Sequence, residues 1–109
     1  MKNNLLPEYS VEFEYKNQSK SYFQILFSKA VLDLNWKINA MNNDKIKVGT
    51  SLSLTSWGEE IEILLEEEKV IITSKCIGGQ IMDWGKNKEN VELLLSKIEA
   101  LKKEIQING

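Results

Sequence analysis

A chain of 109 residues with 42% hydrophobic and 28% charged side chains has the size and composition of one soluble globular domain. It contains no histidine and a single cysteine, Cys76. This excludes a histidine-based catalytic triad or dyad, histidine metal ligation and an internal disulfide. Fourteen basic residues against sixteen acidic ones give a net charge of −2, without the basic excess of a nucleic-acid binder.

The first element is a strand. Tyr9, Val11, Phe13 and Tyr15 alternate with Ser10, Glu12, Glu14 and Lys16, the period-two pattern of one buried and one wet face. Asn17 to Ser21 breaks the alternation and supplies helix caps: Ser21 with Gln24 can form a capping box, and Ser19 is equally placed. Phe23, Leu26, Phe27, Ala30, Val31 and Leu34 then recur at helical spacing, so a helix is expected over about residues 20–34. Trp36, Ile38 and Ala40 return to period two, and Asn42-Asn43-Asp44 reads as a tight turn. Ile46 and Val48 carry the next strand, and Gly49 signals a bulge or a close approach.

Ser51 to Gly58 connects to a further alternation of Ile61, Ile63 and Leu65. Glu66-Glu67-Glu68 makes a charged turn, and Val70, Ile72 and Ser74 face inward with Thr73 and Lys75 outward. Gly78-Gly79 ends that strand. From Asn87 a second helix aligns Val91, Leu94, Leu95, Ile98, Leu101 and Ile105, with Glu99 and Lys103 as an i,i+4 pair on its wet side. The order β-α-β-β-β-β-α predicts an α+β fold, an antiparallel five-stranded sheet with two helices on one face. Residues 1–109 form a single domain, with flexible ends expected over 1–8 and 106–109. No apolar run at the N-terminus is long enough for a signal peptide, and none approaches the roughly 18 residues of a membrane span, so a cytoplasmic location is expected.

Because successive antiparallel strands reverse direction, Trp36, Trp57 and Trp84 should gather at one pole of the molecule. A packed satellite core beneath the loops and an aromatic recognition site are the two readings of that cluster. Two segments at this pole share a Trp-Gly core: Ser56-Trp57-Gly58-Glu59 and Asp83-Trp84-Gly85-Lys86-Asn87. Glycine after the tryptophan permits positive φ at a chain reversal. Asp83 or Asn87 can cap the second helix. Lys86 would stand against the helix macrodipole, which hints at an anion or a partner.

With Asn90, these two motifs resemble a family of small bacterial domains of unassigned function, a similarity running from about Tyr9 to Leu101. The element order is similar to a half-repeat of the TATA-binding-protein-like fold and to a shortened helix-grip lipid-binding domain. The resemblance implies no catalytic residue.

Other chemistry is set aside on the residues themselves. Glu60 and Glu62 alternate with apolar neighbours and form the wet side of a strand, with no calcium-loop spacing around them. Gly78-Gly79 lacks a P-loop ending and a dinucleotide fingerprint. Cys76 falls on the inward register and reads as a small buried hydrophobe without a histidine base. Nothing local marks Lys75 or Lys86 as a buried amine. No catalytic, cofactor-binding or metal residue is therefore assigned. The expected function is a non-catalytic interaction or accessory module that presents Trp57, Glu59, Asp83, Trp84, Lys86 and Asn87 to a protein partner, with no nucleic acid and no membrane insertion. The competing reading is a small-molecule or lipid-binding module with a cavity between the sheet and the first helix. An enzyme using carboxylates alone is a third.

Overall fold

The structure, a computed structural model, describes residues 8–50, 58–76 and 85–108, with side chains through residue 105. Its elements are β1 (Glu8–Glu14), α1 (Lys20–Asp33), β2 (Lys37–Met41), β3 (Lys45–Gly49), β4 (Glu59–Glu66), β5 (Lys69–Cys76) and α2 (Lys86–Asn108). All neighbouring strands pair antiparallel in the order β1-β5-β4-β3-β2. The expected α+β architecture is therefore present. The one pairing that sequence order left open is closed by β1, which lies beside β5. Among the described residues no helix is long and apolar enough to cross a membrane.

Register explains the core. Tyr9, Ser74, Ile61, Val48 and Ile38 stand opposite one another across the five strands, and Val11, Ile72, Ile63 and Ile46 form the next inward row. These rows pack against Phe23, Leu26, Phe27, Ala30 and Val31 of α1 and Val91, Leu94, Ile98 and Leu101 of α2. At the end of the sheet where β1 finishes, Phe23 meets Tyr15 at 4.5 Å and Phe27 at 6.3 Å between ring centroids. The opposite face carries charges: Lys75 with Glu60 at 3.9 Å, Lys45 with Glu62 at 3.4 Å and Lys69 with Glu12 at 3.8 Å. Glu60 and Glu62 thus belong to a solvated ion-pair face.

The ends of α1 are fixed locally. Ser19 is the cap, its Oγ accepting the Tyr22 N–H at 3.1 Å, while Gln24 donates to the Asn42 carbonyl at 2.6 Å. The helix closes with Asn35 at φ 62°, the Asn35 N–H on the Leu32 carbonyl and the Trp36 N–H on the Val31 carbonyl, each at 3.0 Å. This is the 6→1 and 5→2 bonding of a Schellman closure. Trp36, partly buried against the core, supplies the apolar residue that accompanies such a closure.

Four expectations need correction. Ala40 does not share the face of Trp36 and Ile38: the register shifts between Ile38 and Ala40, because the intervening Asn39 is bulged opposite β3. Gly49 makes room there, since a Cβ on it would lie 2.9 Å from Asn39 Nδ2. Ile105 is 49% exposed, at the rim of the space that α2 shares with Ile25 and Lys29 of α1. Glu99 pairs with Lys102 at 3.7 Å, one residue earlier than the Lys103 partner expected. The helix also continues to Asn108, through most of the segment expected as a flexible tail.

Candidate functional site

The start of β4, the end of β5, the end of β3 and the first turns of α2 meet at one end of the sheet. Trp36, just ahead of β2, adjoins the same end. Trp57, Asp83 and Trp84 lie outside the described residues, so the gathering of the three indoles does too. The stems on which the two Trp-Gly segments stand are described, and they are joined.

Strand parity places Glu59 inward. It precedes Ile61, Ile63 and Leu65 by even steps, and it pairs with Cys76 across β4 and β5. Helix spacing does the same for Asn87 and Asn90, which stand one turn before Val91 and Leu94 on the apolar stripe. Glu59, Ser74 and Asn87 are fully buried, and Asn90 and Cys76 nearly so.

The polar atoms find one another. Asn90 Nδ2 donates to Glu59 Oε1 at 2.7 Å. Thr50 Oγ1 accepts the Glu59 N–H at 2.8 Å, and its own proton lies within reach of Glu59 Oε1 at 3.2 Å. Ser74 Oγ and Asn87 Oδ1 are 2.9 Å apart, and Asn87 Nδ2 points at Cys76 Sγ at 3.6 Å. A buried polar group without partners would cost about 1–3 kcal/mol. Among the described residues no buried side-chain nitrogen or oxygen lacks one. The network is a clasp: the residue after the first Trp-Gly and the residues after the second are bonded to each other and to β5.

Glu59 and Asn87 therefore do not present their side chains to a partner, as the surface reading expected; the inward register of β4 and of the α2 stripe covers both. Asn87 is also not the helix cap. The first helical bond runs from the Glu89 N–H to the Gly85 carbonyl at 3.0 Å, with Gly85 at φ 77°, so Asn87 lies inside the first turn and its side chain is spent on Ser74 and Cys76. Gly58 likewise has positive φ, at 95°, as the Trp-Gly reading anticipates. Lys86 remains at the surface and meets Glu89 at 3.3 Å. That acidic residue offsets the unfavourable position of a cation in the first turn.

Sequence reasoning had singled out neither Thr50 nor Ser74 as part of this site, and it used Asn90 only within the motif resemblance. The signal was available as parity: Thr50 is two residues beyond the inward Val48, and Ser74 two before the inward Cys76. Chemically, the arrangement puts a carboxyl group and a thiol on facing strands inside the fold, the carboxyl held by the Asn90 amide and the Thr50 hydroxyl and the thiol facing the Asn87 amide. Two clefts of the described surface lie elsewhere. One of about 370 Å³ is lined by Tyr15 to Lys20 with Glu67 and Glu68, and one of about 290 Å³ runs between the helices. The layer between α1 and the sheet is occupied by Phe23, Phe27, Ala30 and Val31. The chain matches no family model and no curated protein.

Proposed function

We propose that this chain is a non-catalytic, cytoplasmic interaction or accessory module that offers the clasped end of its sheet to a protein partner. The observation that carries the reading is the buried clasp of Glu59, Asn90, Asn87, Ser74 and Cys76. It fastens the stems of two Trp-Gly segments side by side, so that the contacting residues are presented from a rigid base, which reduces the ordering cost of binding. Lys86, Lys88 and Glu89 stand at the surface around the α2 start and, with Trp57 and Trp84 of the motifs, are the chemistry suited to contact, while Glu59 and Asn87 act as supports. The net charge of −2 favours a protein over a nucleic acid. The cavity reading finds no comparable support, because aromatic and aliphatic side chains fill the layer it requires.

The test is affinity capture from source-cell lysate, followed by titration of the purified candidate. Wild type would be compared with Lys86→Glu, a surface change that should leave the fold intact. A protein enriched by wild type, binding directly and weakened by Lys86→Glu supports the reading. Direct binding that is indifferent to Lys86→Glu and to a Trp84→Ala change, or no specific protein at all, overturns it.

A further inference from the structure

The two edges of the sheet are built differently. β2 closes one side with five residues and a bulge at Asn39, a device that keeps a further strand from pairing. β1 closes the other side with seven residues in unbroken register with β5. The Tyr15 N–H donates to the Glu68 carbonyl at 3.0 Å and continues that ladder past the strand end. In an antiparallel pair every second residue bonds to its neighbour, so Phe13, Val11 and Tyr9 turn their peptide groups to β5. Glu8, Ser10, Glu12 and Glu14 turn theirs outward, and all four residues are exposed. On the helix side of the same edge Tyr9, Val11 and Phe13 are only partly buried.

We infer that the β1 edge accepts an extended peptide segment of a partner protein as a further strand, one that alternates basic with apolar residues. The charge left over after the internal ion pairs selects that occupant. Lys69 is shared between Glu12 at 3.8 Å and Glu66 at 3.9 Å, and Lys75 goes to Glu60 at 3.9 Å. Glu8 and Glu14 form no ion pair among the described residues, so the wet side of the edge stays acidic. Lys102 stands over the Phe13 ring on the helix side and pairs with Glu99, away from that row. The same row excludes a second copy of β1. Antiparallel pairing of β1 with itself about Ser10, Val11 or Glu12 sets glutamate opposite glutamate in every case, which is destabilising. A basic strand meets the opposite sign at each of those positions. Read antiparallel from Glu14 to Glu8, the complementary segment is basic, apolar, basic, apolar, neutral, apolar, basic. Its apolar side continues the row of Phe13, Val11 and Tyr9 beside α2. Main-chain bonds supply affinity in this mode, and the alternating side chains supply specificity. The edge adds a second contact surface to the proposed module, and it holds whether or not Lys86 takes part in binding.

The probe is a capped synthetic peptide, Lys-Val-Lys-Val-Thr-Val-Lys, titrated into isotope-labelled protein by NMR, with circular dichroism to verify the fold of each variant. Binding should saturate with a Kd below about 1 mM, and amide exchange should slow at Ser10 and Glu12, whose N–H groups the new strand covers. A scrambled peptide of the same composition should bind about tenfold more weakly, because it loses the alternation. Ser10→Pro removes one outward N–H, which an edge strand tolerates, and should lower affinity about tenfold with every glutamate kept. Methylating the edge-facing amides of the peptide makes the same test on the unaltered protein. Glu8→Lys with Glu14→Lys should abolish binding of this peptide and create binding of its counterpart with glutamate in place of lysine. Absence of binding by the wild type overturns the inference. Equal binding of the scrambled peptide does so too, by reducing the contact to charge attraction, as does binding that ignores both Ser10→Pro and the methylated amides.

Discussion

The clasp makes a quantitative demand on Asn90. Replacing it by alanine removes the donor 2.7 Å from Glu59 Oε1 and leaves a small void between the α2 start and β4. Losing one hydrogen bond to a buried carboxyl group costs about 1.5–3 kcal/mol, and the void adds to it, so about 2–3 kcal/mol is expected. For a chain of this length the unfolding entropy is about 0.23 kcal/mol per degree, which converts the loss into a fall in Tm of about 9–13 °C. Glu59→Gln keeps an acceptor for Asn90 at the same place and should cost roughly 1 kcal/mol. The assay is a double-mutant cycle on Glu59→Ala and Asn90→Ala by urea unfolding, with a coupling energy of about 1–2 kcal/mol expected. A cost for Asn90→Ala below about 0.5 kcal/mol, or additive single effects, would refute the claim that this bond joins the two stems.

Three further predictions concern Asn35, Gly85 and Gly49, each read by thermal unfolding. Asn35 occupies the left-handed position of the α1 closure at φ 62°; Asn35→Gly should be neutral or stabilise by up to about 1 kcal/mol, and Asn35→Ala should destabilise by about 1 kcal/mol. The reverse order would show that the closure does not govern this turn. Gly85→Ala meets no neighbour within 4 Å but must adopt φ 77°, so it should cost about 1 kcal/mol through backbone strain alone. Gly49→Ala faces only the movable end of exposed Asn39 and should change stability by less than about 0.5 kcal/mol, since the amide can swing aside. A larger cost at Gly49 than at Gly85 would contradict both arguments.

Periodicity carried most of the fold into view. The period-two runs gave β1, β3, β4 and β5 with their inward faces, and the 3.6-residue stripes gave both helices, because burial on one side imposes those spacings on sequence. Where the chain departs from regular geometry, the pattern misleads: the extra residue at Asn39 shifts every later position of β2 by one, which is why Ala40 turns outward. The pairing of β1, at the start of the chain, with β5 joins strands separated by α1 and three other strands, and no local pattern encodes it. The site was legible in part. The Trp-Gly segments point to the end of the sheet where the buried clasp lies, but a motif by itself says nothing of register. Glu59 joins the expected contact surface as a member of the Ser56-Trp57-Gly58-Glu59 motif, although counting back from Ile61 already turns it inward. Asn87 was read as a cap because asparagine favours that role, although it stands four residues before Val91 on the apolar stripe.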